Sequence, residues 1–364
     1  MMESGNLPDS VIRAGIRKLC KQRLEEEHIN DIEAQSEQYH RFLQELRRSN
    51  IAVKTDKANE QHYEVPADFY LLALGEHLKY SGCLWDDNTK DLSTAEEKML
   101  ALYVERGEFK DGQNILELGC GWGSLTLYLA KKFPNSHITT LSNSSSQKQY
   151  IDSKAKERGL SNIDVITVDI NNFSTEKSFD RIVSIEMFEH VRNYQQLFQR
   201  VTNWLNDEGK VFLHVFCHRY LMYPFEEEGE DNWMGKYFFS GGQMPAADTF
   251  LHFQGELNLE KRWLLSGQHY EKTSNAWLEN TDKHKESILS VFEKVYGEKE
   301  AKIWLQRWRI FFMSCAELFS RKGYKTILIG RRKERLLKLS KKLGVKKNPL
   351  YTLCDIYIRA NIII

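Results

Sequence analysis

The chain has 364 residues, 41% of them hydrophobic and 28% charged, with 51 Lys/Arg balanced by 51 Asp/Glu; that length suits one large α/β domain with additions or two small domains. No apolar run nears the roughly 18–20 residues of a membrane span, and MMESGNLPDS has neither the basic start nor the apolar stretch of a secretory signal. Residues 321–364 hold 13 of the basic and 2 of the acidic residues, leaving 38 basic and 49 acidic in 1–320, an acidic body that argues against nucleic acid as a partner.

Residues 10–50 carry apolar positions at helical spacing (Val11, Ile12, Ile16, Leu19, then Tyr39, Phe42, Leu43, Leu46), which predicts two or more amphipathic helices laid over the domain. The aromatic-rich segment 62–85 ends in Lys79-Tyr80-Ser81-Gly82-Cys83, a turn whose tyrosine and serine offer polar contacts to a ligand. A helix follows over 94–106, with Thr94 as its expected cap.

The run NILELGCGWGSL (114–125) is a short strand broken by Gly119, Gly121 and Gly123 and followed by helical spacing from Ser124. Such a turn lets the backbone lie against a ligand, with the free N–H groups of a helix start behind it. Three ligands compete for it. A dinucleotide fingerprint wants a third glycine where Ser124 stands and an acid after the next strand, HITTL (137–141), which ends in Ser142-Asn143 instead. A phosphate loop wants Gly-Lys-Ser/Thr, which is missing. S-adenosylmethionine (SAM) wants an acid at the end of the first strand near its amino-acid tail, and Glu117 fits. The segment favours SAM over these two and over a bare strand–turn–helix.

Strands and helices then alternate, implying a parallel sheet. A capped helix stops at Gly159, and strands follow over 163–170, 179–191 and 209–216. In open sheets of this kind ligands sit beyond the carboxyl ends of the strands. Those ends carry Glu117, Ser142-Asn143, Asp169-Ile170 and Glu186, and an adenosine suits them: Asn143 and Gln147 for the ribose, Asp169 for the adenine amino group. Residues 219–258 are long, irregular and aromatic, in the manner of a lid. A sixth strand is expected over 259–270, then helices over 272–296 and 298–319, the last with Trp304, Trp308, Phe311 and Phe312 along it. Six scattered cysteines fit neither a zinc pattern nor a disulfide framework and suit a reducing, cytoplasmic setting.

ILELGCGWGSL, TLSNSSSQ, SIEMFEHV, YFFSGGQMPAADTFLHFQ and WRIFFMSCAELF together resemble the plant coclaurine N-methyltransferases, small-molecule relatives of the cyclopropane-fatty-acid synthases, over residues 10–319. The resemblance implies a class I SAM-dependent methyltransferase: a Rossmann-like α/β sheet with N-terminal helices and a helical or loop lid. It implies methylation of the ring nitrogen of a benzylisoquinoline alkaloid, with Tyr80, Ser81, Gly119, Gly121, Asn143, Gln147, Asp169 and Ile170 holding SAM. Two positions separate the chain from the lipid-modifying relatives, which carry glycine where this chain has Glu186, and a cysteine, associated with a bicarbonate base, where it has Gly82. A carboxylate suits a cationic amine and is a costly guest beside an acyl chain. Cys315, in MSCAELF, matches a cysteine of the lipid enzymes and is a further catalytic candidate, with buried filler as its plainer role.

The chemistry expected is one in-line displacement, without a metal or a covalent intermediate, in which positioning supplies most of the acceleration. A secondary amine arrives protonated, so a base is needed. His190 has the pKa range for it, with Glu186 to orient it or hold the substrate cation, and Glu189 as a third candidate. Trp308 and Phe311 are expected to stack on the substrate rings.

After Phe319 the chain leaves the family pattern, with TILIG as a substitute closing strand and RRKERLLKLSKKLG as a basic helix. The expected division is a helical cover with SAM contacts (1–105), a core with its lid in 219–258 and 270–319 (106–330), and an atypical basic tail (331–364). The partners are a small-molecule amine, with no nucleic acid or integral membrane contact, in a monomer or homodimer. Two alternatives stand: a lipid-modifying methyltransferase, and an inactive SAM-binding relative with an altered ending.

Overall fold

The computed structural model describes residues 2–54, 65–229, 231–321 and 325–332. Its centre is a seven-stranded sheet: β1 (Asn114–Leu118), β2 (His137–Ser142), β3 (Ile163–Thr167), β4 (Phe179–Ile185), β5 (Leu205–Cys217), β6 (Asn258–Ser266) and β7 (Lys325–Arg332). The spatial order is β3-β2-β1-β4-β5-β7-β6. β1 to β5 pair in parallel, and β7 runs antiparallel to both β5 and β6. The order reverses at β1, whose neighbours are β2 and β4, so a crevice opens beyond their carboxyl ends. Four of the five β1 residues are buried, as both-faced coverage by helices requires.

The helices are α1 (Asp9–Glu27), α2 (Ile32–Arg48), α3 (Ala67–Ala73), α4 (Leu92–Arg106), α5 (Ser124–Lys132), α6 (Ser145–Glu157), α7 (Tyr194–Trp204), α8 (Gly267–Lys283), α9 (Lys285–Tyr296) and α10 (Glu298–Arg321). α1 is clamped to α10 by Arg13 and Arg17 on Glu317 and by Asp9 on Arg309. The apolar stripe of α10 fills the largest core cluster against α3, where Trp308 lies 4.6 Å from Phe69.

The expected closing strand is present: TILIG falls within β7, threaded between β5 and β6. Several boundaries differ from the sequence reading. The cap of α4 is Asp91, whose carboxylate accepts the Thr94 N–H, so the helix starts two residues early. β3 ends at Thr167, which leaves Asp169 in the following turn, and β4 ends at Ile185, ahead of a 3-10 turn over Phe188–His190. β6 stops at Ser266, whose hydroxyl caps α8, and the helical run after it breaks at His284. The 219–258 segment is not structureless: it holds a short helix, Trp233–Tyr237, a 3-10 turn, Thr249–His252, and a two-residue ladder. The basic helix expected beyond β7 lies outside the described residues.

One buried carboxylate shapes the approach to the crevice. Glu96 on α4 accepts N–H donors from Gly75, His77 and Lys79, at 3.1, 2.8 and 3.1 Å. Burial pushes its carboxyl up to about 7. Glu96→Ala leaves three donors unsatisfied and should cost roughly 2–4 kcal/mol in urea denaturation followed by tryptophan fluorescence, with Glu96→Gln losing less.

Candidate active site

The carboxyl ends of β1, β2 and β4 and the turn after β3 surround one crevice with two lobes that share Gly119, Gly121, Gln147, Met187 and His190. One lobe is lined by Leu141, Ser142, Asn143, Val168, Asp169 and Ile170, with Ala52 and Val53 closing it from the N-terminal segment. Those two residues are fixed in place because the Asn171 side chain bonds both the N–H and the carbonyl of Ala52. Asp169 accepts the Asn171 backbone N–H at 2.7 Å, and Gln147 Oε1 accepts the Ser142 hydroxyl at 2.7 Å. The other lobe holds Tyr80, Ser81, Glu117, Glu186 and Phe311, together with Lys79, Tyr103, Phe216, Phe239 and Tyr270.

The three glycines of the first turn divide by function. All have positive φ: 79° at Gly119, 52° at Gly121 and 79° at Gly123. A Cβ at Gly121 would meet no protein atom within 4 Å, so this backbone faces open crevice. At Gly123 it would stand 2.6 Å from Ile151 Cγ1, and Gly123 lines neither lobe. Its expected ligand contact is therefore corrected: Gly123 lets α5 start against α6.

Glu117 is 2% exposed, accepts the Thr126 hydroxyl at 2.5 Å, and is pushed up to about 7 by burial. A desolvated carboxylate at the crevice wall favours a cationic ligand. Together with the open backbone at Gly121 and the apolar faces of Leu141, Val168 and Ile170 beside Asn143 and Asp169, this donor set fits an adenosyl sulfonium with an amino-acid tail, such as SAM.

Glu186 follows β4 with φ at 48°, a left-handed backbone rare outside glycine. Its Oε1 accepts the Gly82 N–H at 3.0 Å and lies 3.8 Å from His214 Nε2; its Oε2 accepts the Tyr270 hydroxyl at 3.0 Å. Burial raises its carboxyl, with Lys79, the Gly82 N–H and Tyr270 pulling the other way. His190 shares the cavity, its imidazole stacked on Phe239 with centroids 5.2 Å apart. A Cβ at Gly82 would lie 2.9 Å from Tyr270 Cδ2, so glycine at this position is what lets the tyrosine reach Glu186.

Three expected site residues lie elsewhere. Glu189 is fully buried and lines neither lobe; its Oε1 accepts the Phe216 N–H at 2.6 Å, because the 3-10 turn directs it under β5. Trp308 is 0% exposed and packs behind the cavity, 6.2 Å from Tyr80 and 5.1 Å from Phe238, whereas Phe311, one turn on, lines the wall. Cys315 belongs to the core cluster, and burial raises its thiol, so no thiolate is offered to the cavity. The sequence reading missed Lys79 and Tyr270, whose placement is set by tertiary contacts, and Phe239, an unexceptional aromatic in the lid.

The family model for mycolic acid cyclopropane synthetase matches residues 52–328. The (S)-coclaurine N-methyltransferase of Thalictrum flavum subsp. glaucum is 37% identical over 322 residues, 87% of this chain and 89% of that enzyme. The (S)-coclaurine N-methyltransferase of Papaver somniferum is 37% identical over 327 residues, 89% of this chain and 92% of that one. A crystal structure of coclaurine N-methyltransferase bound to N-methylheliamine and S-adenosylhomocysteine (SAH) superposes with a TM-score of 0.88 at 34% identity, covering 91% of this chain and 97% of that one.

The glycines make a paired test. Gly123→Ala combines left-handed strain with the Ile151 clash and should cost roughly 2–4 kcal/mol of stability. Gly121→Ala should cost only about 1–2 kcal/mol, and its larger effect should be a weakened affinity for SAH in calorimetry, because the new methyl occupies crevice space.

Proposed function

The chain belongs to the mycolic acid cyclopropane synthetase family, and from that premise we propose that it is a SAM-dependent N-methyltransferase of benzylisoquinoline-type amines such as coclaurine. The observation that carries this reading is Glu186, a carboxylate gripped by Gly82 and Tyr270 beside His190, inside an aromatic chamber that adjoins the lobe of Asn143 and Asp169. Relatives at 37% identity that span nearly the whole chain act on amines. A charged carboxylate at this place is a poor host for an acyl chain.

In this reading Asn143, Gln147, Asp169 and Ile170 hold the adenosine, and Tyr80, Ser81, Glu117, Gly119 and Gly121 hold the amino-acid end. SAM, when bound, supplies an electrophilic methyl that the amine takes by in-line displacement, with SAH left behind. The chain's own groups prepare the acceptor. Glu186 attracts the protonated amine and anchors it near the donor lobe. His190 takes the proton from the nitrogen as it becomes a nucleophile. Phe311, Phe239 and Phe216 wall the chamber, exclude water and face the amine's positive charge. Residues 1–105 act as the cover, 106–330 as the core with its lid, and the enzyme works in the cytoplasm as a monomer or homodimer.

The direct test incubates the protein with methyl-labelled SAM, secondary and tertiary isoquinolines, and phospholipid vesicles; label on the amine supports the reading, and label on acyl chains overturns it. Glu186→Gln and His190→Ala should each lower turnover by roughly 10²–10⁴ with SAM affinity kept. The assignment of either residue fails if its variant turns over at the wild-type rate. A separate pH test concerns Glu117, whose carboxyl sits at about 7 without a cation. Seating the donor's ammonium beside Glu117 below that pH requires the carboxyl to release its proton first, so SAM affinity should fall about tenfold per pH unit as pH drops from 7 towards 5. Glu117→Gln should bind more weakly and lose that slope, as calorimetry would read.

A further inference from the structure

Lys79 is a buried amine that the chemistry above leaves unused. It is 2% exposed, borders the active chamber, and sits three residues before Gly82. Its Nζ donates to Ser81 Oγ and to the Gly82 carbonyl, each at 2.6 Å, and lies 5.1 Å from the centroid of the Tyr103 ring. The same Gly82 gives its N–H to Glu186. The backbone N–H of Lys79 is held by Glu96. The ammonium thus grips the turn that grips the carboxylate, and α4 anchors the whole from behind. We propose that Lys79 is a positioning residue for Glu186: its ammonium fixes the Ser81–Gly82 turn and serves as the counter-charge that keeps the buried carboxylate ionised.

A lysine held only for folding would be expected to reach solvent or a carboxylate directly; this one spends its donors on a hydroxyl and a carbonyl. Burial pulls this ammonium below the ordinary lysine range while Cys83, Glu186 and Glu96 hold it up, and the charge it keeps acts through space. Glu186 is faced by Lys79 and Cys83 from the loop, Tyr103 of α4, His214 of β5, Tyr270 of α8 and Cys315 of α10, with Glu189 and His190 on its own turn. Lys79 is the one lysine or arginine among these groups. His214 adds no charge, since burial holds its imidazole well below the ordinary range, and Cys83 adds none at neutral pH, its thiol being pushed up to about 12. Without Lys79 the carboxylate would face a neutral wall and the second buried acid, Glu189, and would take up a proton at higher pH. A protonated Glu186 could not attract an ammonium substrate.

The proposal rests on the amine-methylating reading, yet its test does not need turnover. Difference infrared spectroscopy of the full chain against Glu186→Gln isolates the carboxylic C=O band of Glu186, which is then titrated. In the wild type the band should be absent at neutral pH. In Lys79→Met, and in Lys79→Gln, which keeps a donor for the turn without its charge, the band should persist about one pH unit or more higher. The acid limb of kcat/KM for a secondary isoquinoline should move with it, a tenfold loss or more on that limb per unit, while SAM affinity changes less. A band that titrates as in the wild type in either folded variant overturns the proposal, as does a wild-type Glu186 already protonated at neutral pH. If the wild type methylates no amine, the functional reading falls while the infrared titration still decides the pairing.

Discussion

Two carboxylates that give up water define this crevice. Glu117 and Glu186 stand at and just beyond the carboxyl ends of β1 and β4, which are neighbours in the sheet. Both are buried, and both have their carboxyls pushed up by the loss of solvent. Burying such groups is unfavourable unless a partner repays it. Among the described residues each has neutral donors at hydrogen-bonding distance: threonine hydroxyls for one, a glycine N–H and a tyrosine hydroxyl for the other. Beyond these donors Glu186 has only the through-space charge of Lys79, so a bound cation is favoured beside both carboxylates. A sulfonium donor with an ammonium tail on one side and a protonated amine on the other carry such charges.

The rest of the fold serves to keep water out of this place. α1 is pinned to α10 by arginine–carboxylate pairs, and α10 presses its aromatic stripe against α3 and Phe238 of the 219–258 segment. Phe238 stacks on Phe311 at 4.3 Å, and Phe239 lies over His190. A chamber with such walls has a low effective dielectric, which strengthens each charge interaction inside it. The left-handed backbone at Glu186 belongs to the same economy: strain at one residue turns its side chain back towards Gly82 rather than along the strand.

What was legible in the sequence was whatever the topology alone brings together. Strand ends converge in a doubly wound sheet, so Glu117, Gly119, Gly121, Asn143, Asp169, Ile170 and Glu186 could be placed in one crevice from their positions in the chain. The stop of each strand was less legible, because Val168 and Ile170 after Thr167, and Met187 and Phe188 after Ile185, prolong the apolar pattern past the last ladder residue. Side-chain direction off irregular backbone was not legible at all. Glu189 and His190 are adjacent, yet the 3-10 turn sends one under β5 and the other into the chamber. Trp308 and Phe311 lie on one helix stripe, and only the second reaches the cavity. Tyr270 enters from a helix 84 positions beyond its carboxylate partner, with nothing local to announce it.

The place of β7 has a consequence for how the chain reaches this state. The last of the described strands, Lys325–Arg332, lies inside the sheet, flanked by strands made more than fifty residues earlier. Until it arrives, β5 and β6 have no partner for the edges they later share with it, and a growing polypeptide carries two bare hydrogen-bonding margins. Synthesis of this protein therefore passes through an interval in which the ligand-binding half can be assembled while the far half still presents unpaired edges.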